Sequence, residues 1–414
     1  MRDQSPTERT VRATNHARAA LLAGYTTYRD LGTEALGSAD ASLRDCINRG
    51  LTPGPRMFVA TEALACSGGY ELRSENRRGV AASGGGGGGG VSLPRAADVG
   101  DGVDAVRAAV RRRIGEGADV IKFYGDYRRR VMRFPPDVPG PGGRVLFPPD
   151  RAPRNPAVVL FTGDEMRAIV DEAWGSGAPV AAHAAEASTA LMAARAGVDS
   201  VEHVFEDSFG CMDELVEEMV KRETIWVPTL ATAEEDFEPE KFAGCKKAVK
   251  KAFDQGVRLA AGGDAGVFNH GLNAREMEIM MEAGIPVEDV LLAGTYTGWQ
   301  ACGGDKCGYR FGCWEEGNRA DIIALDADPR KDPKALRKVS FVMKDARVWK
   351  RDGLPVDMVA ATQWPEELER LAEEESKKSP VMSGTSGDSM ANPTPSTQSP
   401  DMCSSPASSC DVGF

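Results

Sequence analysis

The chain has 414 residues, 42% of them hydrophobic, and a formal net charge of −12, which disfavours nucleic acid and anionic membrane surfaces as partners. The length supplies enough apolar material for one large domain or two medium ones. Nine cysteines, scattered and without a CxxC pair, fit reduced thiols in the cytoplasm better than a disulfide frame, and no apolar run is long enough for a signal core or a membrane span.

Residues 10–24 read as a weakly amphipathic helix, with Val11, Leu21 and Leu22 on one face and Gly24 as the stop. His16 lies on that helix among polar neighbours and is expected to face solvent. Tyr25–Asp30 is a short β-rich run, Ser42–Arg49 a helix and Pro55–Ala60 a strand. Residues 67–99 are glycine-rich, and the unbroken run Gly84–Gly90 is a flexible loop, since a phosphate cradle needs a defined turn between strand and helix. Val103–Gly115 reads as a helix with Val106, Val110 and Ile114 inward and Arg111, Arg112 and Arg113 mostly outward. The strand Gly117–Tyr124 carries Lys122, and a lysine in a buried parallel strand must be paired, neutralised or modified to offset its desolvation. The Pro/Gly-rich insertion 128–156 suits a lid or pocket wall.

Thr162–Glu165 has the form of a capping box, opening a helix with Met166, Ile169, Val170 and Ala173 on its apolar face. The stretch Pro179–Phe205 then holds two apolar runs, each ending in a histidine: Val180–His183 and Val201–His203. An alanine-rich helix closed by Gly197 separates them. Strand, helix, strand, with a histidine at each carboxyl end, is how a parallel sheet brings ligands to one face. Only 4 histidines occur in the chain, so two at matched positions favour a metal site over a pair of core histidines. Further on, Met212–Arg222 is a helix with Leu215, Val216, Met219 and Val220 inward, Thr224–Leu230 a strand, and Val257–Asp264 an apolar strand ending in glycines and an acid. Asp264 suits a helix N-cap, but its position makes it the third strand end with a metal-capable side chain. Helices Ala274–Ala283 and Val287–Thr295 follow. Glu315–Leu325 and Val339–Trp349 are hairpin-like strands of a small β layer, and residues 377–414, Ser/Pro/Thr-rich, are expected to be disordered.

Lys122, His183, His203 and Asp264 therefore come from four strand ends. Imidazoles and carboxylate suit zinc or a similar divalent ion, and a lysine can join them once carbon dioxide has converted its amine to a carbamate. Metal-activated water would lose a proton near neutral pH, and an aspartate beside it can take that proton and return it to a leaving amine.

The motifs Gly24–Gly32, Gly117–Lys122, Val180–His183, Val201–His203 with Pro228–Leu230, Gly262–Asp264 with His270–Asn273 and Glu276, and Gly317–Ile323 resemble, in order and spacing, the metal-dependent amidohydrolase superfamily, specifically its imidazolonepropionase-like and prolidase-like branch. The resemblance implies an α/β fold, a (β/α)8 TIM-type barrel over residues 1–310 with a partial β-sandwich flank at 311–356. It implies hydrolysis of amide bonds in dipeptide-like or N-acyl amino-acid substrates, with small molecules as partners and a homo-oligomer allowed. By position, Lys122 would be the carboxylated metal bridge, His183 and His203 would hold one ion, and Asp264 would be ligand and general base. Tyr127 would polarise the scissile carbonyl, with His270 lining the substrate pocket. Arg128–Arg130, read from the sequence alone, is either a contact for a substrate carboxylate or a solvated basic run. The family's first barrel strand ends in His-x-His, which is found nowhere in this chain. The barrel is therefore expected to lack that strand and to hold at most one of the family's two ions well. Two expectations follow: a working hydrolase whose N-terminal strand lies outside this sequence, or a degenerate, non-catalytic relative with impaired metal binding.

Overall fold

Ser5 starts the first helix, its hydroxyl accepting the Glu8 N–H at 3.1 Å with Pro6 in the first turn. The computed structural model describes residues 4–34, 36–69, 96–128, 157–356 and 358. The glycine run, the 377–414 tail and nearly all of the 128–156 insertion lie outside the described residues.

The elements in order are α1 (Pro6–Leu22), β1 (Thr27–Asp30), α2 (Ala39–Asn48), β2 (Arg56–Val59), β3 (Ala63–Ala65), β4 (Ala97–Val99), α3 (Val103–Gly115) and β5 (Ile121–Tyr124). Next come β6 (Asp126–Arg128), β7 (Ala157–Val159), α4 (Gly163–Gly175), β8 (Val180–Glu186), α5 (Ala187–Ala196), β9 (Ser200–Glu206), α6 (Met212–Arg222) and β10 (Ile225–Val227). Helices α7 (Leu230–Asp236), α8 (Pro239–Asp254), α9 (Ala274–Glu282), α10 (Val287–Gly294) and α11 (Tyr296–Ala301) precede the strands β11 (Ile322–Leu325), β12 (Val339–Lys344), β13 (Arg347–Arg351) and β14 (Leu354–Pro355). The capping box at Thr162 and Glu165 is present, and Gly197 closes α5 at φ +96°, a left-handed turn that glycine adopts without steric cost.

One parallel sheet runs β10-β9-β8-β5-β3-β4, and β1 pairs with β2 alone. The Val59 carbonyl accepts the Asp119 N–H at 2.7 Å, joining β2 to the start of β5, while Leu259 bridges Trp226 beyond β10. Among the described residues this parallel array does not close. β1, β4 and the segment at Leu259 each have one strand partner. The short β3 and β4 were not expected; they are three residues each, too brief for alternation to reveal them. Val257–Asp264, read as a strand, forms only that single bridge.

Alanines make the helix layer close. Ala187, Ala190, Ala193 and Ala194 of α5 are fully buried, and Phe123, Phe161, Met166, Ile169, Leu215 and Trp226 fill the space around them. Arg113 and Val220 depart from the inward–outward pattern expected of their helices. Arg113 is buried, because Glu62, Asp98 and Glu116 surround its guanidinium, and Val220 is 41% exposed at the edge of its helix.

The strands β11-β12-β13-β14 form an antiparallel layer, held by Leu21 of α1 against Val339, Val342 and Trp349. Arg56 of β2, itself buried, bonds Asp321 at 2.8 Å and Asp345 at 2.6 Å. Asp345 and Ala346, at the β12–β13 turn, lie at φ +51° and +62°, the left-handed values a two-residue hairpin demands. Alanine is strained there, so Ala346→Gly is expected to raise stability by about 1 kcal/mol, read as a higher denaturant midpoint at unchanged m-value. A lower midpoint would contradict the turn assignment.

Candidate active site

Lys122 within β5, His183 and His203 midway along β8 and β9 rather than at their carboxyl ends, and Asp264, beyond the Leu259 bridge and outside any strand, face one cavity of about 1920 Å³, larger than the roughly 300–1,000 Å³ of an ordinary ligand pocket. Lys122, Tyr127, His183, His203, Asp264 and His270 all line it. Sheet register explains why they meet: Tyr124 of β5 lies opposite His183 of β8, and Ala184 opposite His203 of β9. Gly125 permits that approach, since a Cβ there would fall 2.8 Å from the His183 carbonyl.

The two imidazoles stand edge to face, ring centroids 4.5 Å apart. His203 is 8% exposed, and its Nδ1 is 2.9 Å from the Thr229 hydroxyl. Burial lowers the His183 pKa to about 3 and puts that of His203 well below the usual range, with Lys122 adding to both effects. Both rings are therefore neutral near pH 7. The Asp126 carboxylate, 3.8 Å from His183 Nε2, accordingly makes no ion pair; it accepts the Ala185 and Glu186 N–H groups at 2.9 and 3.1 Å.

Lys122 is 5% exposed. Burial brings its amine down to about 8, assisted by Arg29 and opposed by Glu202 and Asp264. Asp264, at φ +58°, faces the open cavity. The surrounding protein raises its carboxyl pKa, and Lys122 counters part of the rise. Tyr127 sets its ring 5.7 Å from His183. Arg128 pairs with Ala157 through the backbone, and its side chain lies outside what is described. His270 stacks on His16, centroids 4.3 Å apart. His16 is exposed, as expected for its helix face, but that stack was not foreseen.

Sequence reading missed the groups behind Lys122. Arg29 of β1 donates to both Glu202 oxygens at 2.9 and 3.0 Å, to the Ser200 hydroxyl at 2.8 Å and to the Ala301 carbonyl at 3.2 Å. Glu202 is 2% exposed. It precedes His203 in the quoted Val201–His203 motif, and its one visible signal was a charge inside an apolar strand. Glu276 is likewise buried, accepting the Leu230 and Ala231 N–H groups, and burial lifts its carboxyl to about 7. Asp30 and Asp40 at the cavity wall are lifted to about 6 and about 7, chiefly by burial. Left-handed backbone recurs at and beside the cavity-lining positions: His203, Val204, Thr229 and Asp264 all have positive φ, as is common where side chains are aimed into functional sites.

The donor chemistry fits a divalent cation, with two neutral imidazoles and a readily deprotonated amine on one wall. The set is thin, however: among the described residues no three His, Cys, Asp or Glu side chains converge as a metal-holding group. Nor is any helix among them long and apolar enough to cross a membrane.

The profile of the "Amidohydrolase family" matches residues 2–350. An ochratoxinase of Aspergillus niger is 30% identical over 362 residues, covering 81% of this chain and 67% of that protein. Among solved structures, a Xaa-Pro dipeptidase with methionine bound in its active site is 30% identical, with a TM-score of 0.63 over 82% of this chain and 79% of the other. The A. niger ochratoxinase structure is 25% identical, with a TM-score of 0.64 over 86% and 79%.

Proposed function

The chain belongs to the amidohydrolase family, whose fold is the (β/α)8 TIM-type barrel, and on that premise we propose that it hydrolyses carbon–nitrogen bonds of small dipeptide-like or N-acyl amino-acid substrates with a divalent metal, zinc first. The observation that carries this reading is the pair of neutral imidazoles, His183 and His203, 4.5 Å apart beside the buried Lys122. The family is generally metal-dependent. In this reading His183, His203 and Lys122 hold the ion, with Asp264 as a further ligand facing the same cavity.

A bound divalent ion would supply Lewis-acid polarisation of the amide carbonyl and a more acidic water. The chain's own residues do the rest. Lys122 has a pKa of about 8, so near neutral pH a fraction of its amine is free to add carbon dioxide, forming a carbamate and releasing one proton. Asp264 takes the proton of the attacking water and delivers it to the leaving nitrogen as the carbon–nitrogen bond breaks. The Tyr127 hydroxyl donates toward the scissile carbonyl oxygen, and Arg128 meets a substrate carboxylate.

The test is a panel of Xaa-Pro and Xaa-Arg dipeptides, N-acyl amino acids and ochratoxin, incubated with protein supplied with zinc and bicarbonate. Release of a free amine from at least one substrate, abolished by a chelator, is the expected result. No release from any of them would sink the catalytic reading. The second reading, a non-catalytic relative with impaired metal binding, draws on the lack of a three-donor group and on the array's open ends among the described residues; it expects no turnover and no retained metal.

A further inference from the structure

Thr229 sits at the N-cap of α7, yet its hydroxyl caps none of that helix's N–H groups. A threonine at this position ordinarily secures the helix start. Here the Leu230 and Ala231 N–H groups donate instead to the two oxygens of Glu276, at 3.0 and 2.7 Å. The same threonine lies at φ +50°, ψ +46°, a region where the Cβ of a β-branched residue crowds the backbone. Local preference and capping are both forgone, and what they leave is one contact: the hydroxyl, 3% exposed as a residue, stands 2.9 Å from Nδ1 of the buried His203. The backbone behind that imidazole is fixed as well, because Trp226 Nε1 donates to the His203 carbonyl at 2.7 Å.

We propose that Thr229 is a positioning residue that holds the His203 imidazole with its proton on Nδ1 and its Nε2 lone pair toward the cavity, Glu276 having taken over the capping of α7. A neutral imidazole carries one N–H and one lone pair, so a partner fixed at Nδ1 decides what Nε2 can do. Groups that orient a ligand in this way typically change metal affinity by about 10- to 100-fold when removed. The purpose assigned to His203 rests on the metal-site reading above, but the tautomer belongs to the metal-free chain and is measured without turnover.

The experiment is nitrogen-15 NMR of the histidine rings in the full metal-free chain at pH 7, paired with zinc titration against a chromophoric chelator. Wild type and Thr229→Ser are expected to show His203 as the Nδ1–H tautomer, identified by its loss in His203→Asn. Thr229→Val and Thr229→Gly lose that tautomer's dominance and bind zinc about 10- to 100-fold more weakly. Glycine relieves the left-handed backbone, so Thr229→Gly should keep or raise the melting midpoint while losing affinity, which a merely structural role would not produce. An unchanged His203 tautomer in both Thr229→Val and Thr229→Gly, or equal losses in serine and valine variants, overturns the proposal. The expected tautomer change with no zinc affinity in any variant would uphold the positioning role and refute the metal reading.

Discussion

Replacing Lys122 with methionine should lower kcat/KM on any accepted substrate by on the order of 10³-fold, about 4 kcal/mol of transition-state stabilisation, without lowering thermal stability. The two halves of that expectation have one cause. Lys122 is buried between Glu202, Asp264 and Arg29, and desolvation outweighs the favourable carboxylates. Methionine has a similar length and no charge to bury, so the fold loses nothing while the site loses its amine. The pH dependence follows in sign. The folded lysine releases its proton near pH 8, whereas an unfolded one holds it to the ordinary 10.5. Between those values the unfolded chain binds more protons, so wild-type stability should rise with pH, by on the order of 3 kcal/mol in total. The experiment is chemical denaturation from pH 7 to 11 in metal-free buffer purged of carbon dioxide. Lys122→Met should lack that rise, and a parallel profile in the variant would show that Lys122 is not the group responsible.

The second large effect is on the fold. Arg29→Met should destabilise by about 3–5 kcal/mol, because it strips the buried Glu202 carboxylate of its bidentate ion-pair partner. Arg29 is 11% exposed at its side chain and Glu202 3%, with two bonds of 2.9 and 3.0 Å between them. No other side chain described here joins β1 directly to β9 across the array, so the loss also loosens an end of the sheet that has only β2 beside it. The double change Arg29→Met with Glu202→Met should recover most of the stability, since an apolar pair of similar volume avoids the desolvation of both charges. Denaturation midpoints of the two single variants and the double variant measure the coupling. Additive effects would mean that the ion pair contributes nothing beyond its separate residues.

The candidate ligands were legible in the sequence because their signals are local. An apolar run followed by histidine, or by two glycines and an acid, needs no knowledge of distant residues, and Lys122 announced itself as a charge where a buried strand should have none. The capping box at Thr162 is readable for the same reason, being set by four consecutive residues. What escaped was non-local. Arg29 and Glu202 are 173 residues apart, and no periodicity connects them. Arg113 looked like its neighbours until Glu62, Asp98 and Glu116 were placed around it. The His16–His270 stack and the exchange of roles between Thr229 and Glu276 depend on which helix ends meet, and that is decided by packing.

Metal content, measured on the purified full chain after zinc loading and gel filtration, bears most directly on the central claim that His183 and His203 hold a catalytic ion. One zinc per chain is expected, falling below a tenth of that in the His183→Asn, His203→Asn double variant, roughly as the loss of two first ligands requires. Zinc retained by the double variant, two tightly held ions in the wild type, or hydrolysis unaffected by complete metal removal would each contradict it.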